Sequence, residues 1–257
     1  MPNHVGQNEL ERMLSVGLLL LMRIGSAIVT MPVFSSPGIP VRVKALFTVV
    51  LALLLTPVVA FAHGTEPSLN AASMLAEVVV GLGFGLTLAL LNEALLFAAA
   101  LMGTAFSFSL ANLLDPNSMV ETEVLGTVLS WLGVLVLLGA GLHRTMLAAL
   151  LRTLDSVPLG HASTAMHNGA LFASMASGIF ASGVQLAAPV VSAALLVEVA
   201  VGIVSRMAPA LPAQIASVPV KTLVSYVVLI GSLALWPRWI EHHFAALLDA
   251  AQKGMRG

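Results

Sequence analysis

Six ionisable side chains occupy places where charge is costly. Arg23, Glu77, Glu93, Glu198, Arg206 and Lys221 each lie inside, or at the end of, a run of apolar residues. An unpaired charge in hydrocarbon costs several kcal/mol, so such groups face a bundle interior, a water-filled path or another subunit. Their chemistry is correspondingly narrow: ion pairing, proton transfer or attraction of a charged partner. A proton relay needs Asp, Glu and His stacked at helical spacing on one face, and no segment provides that stack. Pairing has better support. Glu198 and Lys221 belong to consecutive apolar segments joined by a Pro-containing turn at 208–213, so they can oppose each other across a hairpin.

Covalent and metal chemistry find no foothold. There is no G-x-S-x-G, H-E-x-x-H or Walker loop. His143-Arg144 near a helix end and the pair His242-His243 lack a second ligand cluster at metal spacing, and read as solvated or headgroup-facing. Gly81, Gly83 and Gly85 form G-x-G-x-G inside an apolar helix with no strand before it, which is not a nucleotide site. No catalytic residue, cofactor or metal is expected. A net charge of −1 offers no basic face for nucleic acid. The absence of cysteine excludes disulfides and thiolate metal sites.

The elements that carry these charges are membrane-type helices. Of 257 residues, 58% are hydrophobic and 9% are charged, against roughly 25% charge in soluble domains. The mean hydropathy is +1.00. A spanning helix needs about 20 mainly apolar residues. The chain offers such windows at 13–34, 44–62, 72–92, 94–114, 124–142, 169–204 and 219–236. The third and fourth join through Asn92-Glu93 without a turn signal, leaving one bent helix or two spans open. The window 169–204 exceeds one perpendicular crossing, and Pro189 is expected to kink or break it. The count is six to eight helices.

Punctuation places the loops at 35–40, 63–70, 115–118, 155–160 and 208–213, with Ser68 read as the cap of the following helix. No cleavable leader is read at the N-terminus. Arg42 and Lys44 before an apolar run ending Ala60-Phe61-Ala62 imitate a signal peptide, but open an internal span. At the C-terminus Ile240, Phe244, Leu247, Leu248 and Ala251 share one face, which suits an interfacial helix with Trp236 and Trp239 at the headgroups.

Small residues are laid out for close helix approach. Ala170, Ser174, Gly178 and Ser182 recur every fourth position, and Gly81 and Gly85 form a second small-xxx-small pair. They serve packing within the chain or contact with other subunits. Amid this apolar background, residues 103–124 run through Phe106-Ser107-Phe108 into the breaker Asp115-Pro116-Asn117 and two glutamates.

Three stretches together resemble the FliR/SctT family, the export-gate subunit of flagellar and virulence type III secretion systems. They are 21–57, with Arg23, Pro32-Val33-Phe34, Ile39-Pro40 and Arg42-x-Lys44; the central "FSFSLANLLDP" followed by Glu123–Gly126; and the last hairpin, with Glu198, Arg206, Pro209 and Pro219-x-Lys221. The resemblance covers nearly the whole chain in order.

It implies an all-α fold of bent helical hairpins built into a helical, multi-subunit cone with FliP-type and FliQ-type partners. It also implies contact with an FlhB-type subunit, rod and inner basal-body proteins, lipid and unfolded secretion substrates. The implied place is the bacterial inner membrane at the flagellar basal body, with the flagellar branch favoured. Residues 1–257 would be one subunit, with N-terminal helices over 1–160 and a FliQ-like hairpin plus amphipathic helix over 161–257. The same resemblance makes the segment at about 103–124 a plug inside the cone. Phe106, Phe108, Leu110 and Leu113 would form an apolar constriction, and Asp115-Pro116 would break the helix so that the chain turns back. Residues 117–120 (Asn-Ser-Met-Val) depart from the glycine common in that family after Asp-Pro. The competing readings are an ordinary external loop between two spanning helices for this segment, which the residues alone favour, and a secondary transporter working alone for the chain.

Overall fold

Where water is excluded, an α-helix satisfies every interior N–H and C=O within one segment, and long apolar runs fold accordingly. A computed structural model describes residues 3–62, 69–106, 120–160, 169–207 and 213–256. Among them there is no strand. The helices are α1 (Asn3–Thr30), α2 (Val41–Ala62), α3 (Ala71–Ala105), α4 (Val120–Gly139), α5 (Leu142–Ser156), α6 (Gly169–Met207), α7 (Ala213–Ser232) and α8 (Trp236–Arg256), with a 3-10 turn at Leu233–Leu235. Five helical stretches are long and apolar enough to cross a membrane, or up to six if α4 and α5 form one broken span. The protein is an all-α membrane protein.

Helix ends follow local chemistry. α1 stops as Met31 meets Pro32, since the residue before proline avoids the helical region. Val33 then takes a left-handed conformation, φ 74°, while staying buried. Pro40 supplies the carbonyl that accepts from Val43 and Lys44 N–H and so opens α2. α3 is capped by Asn70, whose Oδ1 accepts from Ser73 N–H at 2.6 Å while Ser73 Oγ accepts from Asn70 N–H at 3.1 Å. This reciprocal box replaces the expected Ser68 cap, because a cap must stand immediately before the first helical residue; Ser68 itself lies outside the described residues. α5 ends at Val157, extended at φ −132° and ψ 91° ahead of Pro158.

Two places left open by the sequence run on as helix. The chain runs helically through Asn92 and Glu93, so the two windows joined there belong to one helix of 35 residues. Neither residue is a breaker, and Asn92 directs its amide sideways, where Oδ1 accepts from Ser130 Oγ at 2.6 Å. α6 likewise continues through Pro189 over 39 residues. One forfeited hydrogen bond costs less than opening several backbone groups in apolar surroundings.

The chain divides into two compact units. The first comprises Met1–Leu90, Leu137–Met175 and Phe244–Gly257; the second, Leu91–Val136 and Ala176–His243. In the first, α1 and α2 run antiparallel: Gly17 lies beside Thr56 and Gly25 beside Thr48. Both threonine hydroxyls bond back to their own helix, at Lys44 O (2.8 Å) and Ala52 O (2.7 Å). In the second, α3 lines up antiparallel with α4 through Gly126 and Gly133, and packs against α6 at Gly183, near which Phe97 and Phe180 meet edge to face at 5.1 Å.

Candidate functional site

The most heavily buried charges among the described residues meet in the first unit. Arg23 of α1 and Glu77 of α3 are 1% and 0% exposed, and Arg23 Nε donates to Glu77 Oε2 at 2.5 Å. The pair also gathers backbone. Arg23 Nη1 donates to Val157 O at 2.8 Å and Thr153 O at 3.3 Å, and Glu77 Oε1 accepts from Gly160 N–H at 2.9 Å. Those carbonyls belong to the C-terminal end of α5, where a helix presents unsatisfied oxygens and partial negative charge. A guanidinium offers a planar fork of five donors, so one Arg23 serves a carboxylate and a helix end together. Nη2 finds no partner among the described residues. The arrangement ties three helices at one point.

One turn further along α3 the backbones of α1 and α3 come into close approach. A Cβ on Gly81 would collide with Ser26 Oγ and Arg23 O, and one on Gly85 with Thr30 Oγ1 and with Ala27 O at 2.8 Å. Glu77, Gly81 and Gly85 thus form a single i, i+4 stripe laid along Arg23, Ala27 and Thr30. The two helices run parallel there. Absence of side chains, not hydrophobic driving force, sets this crossing.

In the second unit the end of α3 is fastened to α7. Phe106 is 2% exposed, its ring stacks on Tyr226 with centroids 4.5 Å apart, and its carbonyl accepts from Thr222 Oγ1 at 3.2 Å. One residue before Thr222, Lys221 pairs with Glu198 of α6. That pair is half open to the surroundings, with Glu198 51% and Lys221 14% exposed. α7 therefore presents Lys221, Thr222 and Tyr226 as a short ladder at the root of the central segment.

The other singled-out residues fall as follows. Glu93 and Arg206 are exposed on apolar helices and pair with no described residue. Gly178 faces open space, Ser182 is half-buried, and the side chain of Ser174 lies outside the described residues. Phe108, Leu110, Leu113, Asp115 and Pro116 also lie outside them. Gly183, off the every-fourth stripe, makes a close approach in α6 that Gly178 does not, lying 3.1 Å from Ala94 O as judged from its would-be Cβ. Sequence spacing gave no sign of Tyr226, Thr222 or Gly183. Trp236 is 2% exposed rather than at a headgroup surface, and Ile240 and Phe244 are buried as well, so the apolar face of α8 is taken up by protein. His243 stacks on Trp239 at 4.0 Å and its Nδ1 bonds the Trp239 carbonyl, half-buried where a solvated ring was expected. Among the described residues no group of His, Cys, Asp and Glu could hold a metal ion.

Residues 14–247 match the family described as bacterial export proteins, family 1. The chain belongs to that family. Its FliR/SctT members include the flagellar biosynthetic protein FliR of Caulobacter vibrioides, 29% identical over 85% of this chain and 88% of that protein. The FliR of Escherichia coli K12 is 26% identical over 89% and 88%. The Yop proteins translocation protein T of Yersinia pestis is 25% identical over 86% and 87%. This FliR/SctT chain is accordingly a membrane-embedded component of the flagellar and type III export machinery.

Proposed function

We propose that this chain is a core subunit of the type III export gate. With FliP-type and FliQ-type partners it forms the closed channel through which unfolded substrates cross the bacterial inner membrane, in contact with an FlhB-type subunit and rod proteins. The FliR of Caulobacter vibrioides is 29% identical against 25% for the Yop proteins translocation protein T, which favours the flagellar branch. One observation carries the reading beyond family membership. Apolar helices here carry Glu93, Arg206 and the Glu198–Lys221 pair on outward faces, beside small residues such as Gly178 and Gly202. Charge facing lipid is expensive, and small residues gain nothing from acyl chains; both suit a neighbouring protein helix.

Within that gate, the segment at about 103–124 acts as the plug. Phe106, which the resemblance puts in the constriction, packs on Tyr226 of α7 and serves instead as the anchor of the segment, while Phe108, Leu110 and Leu113 supply the apolar constriction, which stops ions by excluding water. Asp115-Pro116 turns the segment back. Residues 1–160 serve as the N-terminal helices that carry the plug, and residues 161–257 as a FliQ-like hairpin plus an amphipathic terminal helix.

Affinity purification of the chain from cells, followed by mass measurement of the intact particle, tests the assembly. A heteromeric complex containing two further small membrane proteins is expected; a monomer or symmetric dimer would overturn the proposal. For the plug, Phe108→Ala combined with Leu110→Ala and Leu113→Ala should raise the ion conductance of the assembled particle. Phe106→Ala should instead lower the stability of the chain, by about 3–5 kcal/mol.

A further inference from the structure

The outward face of α2 differs in kind from those of α3 and α6. Leu46, Val50, Leu53, Leu54, Val58 and Phe61 are exposed and recur at helical spacing. From residue 45 to residue 62 there is no charged side chain and no glycine. The two hydroxyls of the helix are turned inward: Thr48 and Thr56 are buried against α1 and donate to their own backbone. Apart from Ala45 near its start and Pro57, which leaves the Leu53 carbonyl without its intrahelical donor, the outer face presents bulky apolar side chains that hold a neighbouring helix off. Branched aliphatic side chains standing free are, by contrast, matched by fluid acyl chains.

Length and charge agree. The candidate span Val41–Phe61 holds 21 residues, about 31 Å at 1.5 Å per residue, against a hydrocarbon core of roughly 30 Å. Arg42 stands exposed at its head with no partner among the described residues. Beside it Lys44 Nζ donates to Ser36 O at 3.0 Å, and Phe34 stacks on Phe47 at 5.6 Å. A cation with aromatic rings at one end of a bare apolar helix complements a lipid phosphate layer.

We propose that α2 is the lipid-facing helix of this subunit: its outer face lies against the acyl chains of the bilayer, and Arg42 meets headgroup phosphate. The proposal rests on the gate reading for the faces it leaves to other subunits, and divides the surface into a lipid side (α2) and a protein side (α6).

The test is photocrosslinking in cells that carry the whole export apparatus, with a benzophenone amino acid placed at Leu46, Leu53 or Val58 of α2, or at Leu196 or Val199 of α6. The α2 positions should give lipid adducts on the purified chain and no protein adduct; the α6 positions should give protein adducts. A protein adduct from α2 at the yield of α6 would overturn the lipid assignment. Lipid adducts from α2 together with none to protein from α6 would leave the lipid face standing and sink the gate reading. Because the chain has no cysteine, Leu53→Cys carrying a nitroxide gives a second, smaller probe. Strong relaxation by oxygen and little by a water-soluble nickel chelate is expected. Protection from both, or access to nickel, would overturn the proposal.

Discussion

Arg23 and Glu77, separated by 54 residues in sequence, form a doubly buried ion pair that also holds the C-terminal carbonyls of α5. The geometry explains why a membrane helix tolerates an arginine in its apolar run. The guanidinium meets a carboxylate and two carbonyl oxygens, so most of its hydrogen-bonding demand is satisfied inside the protein. A pair of this kind is weak evidence for net stability, but removing one member strands the other.

Arg23→Ala should therefore destabilise the detergent-solubilised chain by about 3–5 kcal/mol, and Glu77→Ala by a similar amount, since each leaves a buried charge unpaired. The double replacement Arg23→Met with Glu77→Met should cost less than either single change. Arg23→Lys should rescue only partly, because an ammonium cannot serve the carboxylate and the helix end with one planar fork. Thermal unfolding of the four variants checks the order. A double variant worse than both singles would show that the pair is a net stabiliser.

How far could this site be seen in the sequence? Arg23 and Glu77 stand out as charges in apolar runs, and Gly81 and Gly85 as a packing pair, because type and spacing mark them. Glu198 and Lys221 were also placed opposite each other, since a short turn between two helices fixes which positions face. The partnership of Arg23 with Glu77 was not legible: it depends on a parallel helix crossing that no local spacing encodes. Its backbone acceptors at Thr153 and Val157 leave no mark at all, because any residue has a carbonyl. Continuity of α3 and α6 was left open for a related reason. Local signals at Asn92-Glu93 and Pro189 are weighed against water in a sequence reading, but against apolar surroundings in the fold.

The crossing of α1 and α3 predicts an asymmetry between two glycines. At Gly81 an added methyl meets the Arg23 carbonyl, which is backbone and cannot swing away. Gly81→Ala should cost about 1–3 kcal/mol, the usual penalty of overpacking. Gly178 faces open space in the chain. Gly178→Ala should stabilise the isolated protein slightly, by up to about 1 kcal/mol of helix propensity. The same change should weaken retention of partner subunits during purification, if that face is covered in the assembly. Unfolding midpoints and the yield of co-purified subunits separate the two effects.

Val33 predicts a reversal of the ordinary order of small substitutions. A β-branched residue at φ 74° is strained, by roughly 1–3 kcal/mol. Alanine would keep a Cβ in that conformation and give up buried surface. Glycine gives up slightly more surface but removes the steric conflict. Val33→Gly should accordingly be less destabilising than Val33→Ala. Equal or opposite losses on thermal unfolding would mean that the surrounding turn relaxes when the side chain is cut back.

The Glu198–Lys221 pair gives the sharpest separation between stability and assembly. In the isolated chain Glu198 is half exposed, and a pair open to solvent contributes about 0–1 kcal/mol. Lys221→Ala or Glu198→Ala should thus leave the unfolding midpoint of the purified chain nearly unchanged. When a neighbouring helix covers that face, water leaves and the surviving charge is stranded, so each single variant should lose partner subunits on purification and lose export in cells. Exchanging the charges, Glu198→Lys with Lys221→Glu, restores the pair and should recover both. Recovery would locate the interaction within this hairpin. Failure of the exchange, with both singles impaired, would mean that one of these side chains instead contacts a partner of fixed charge.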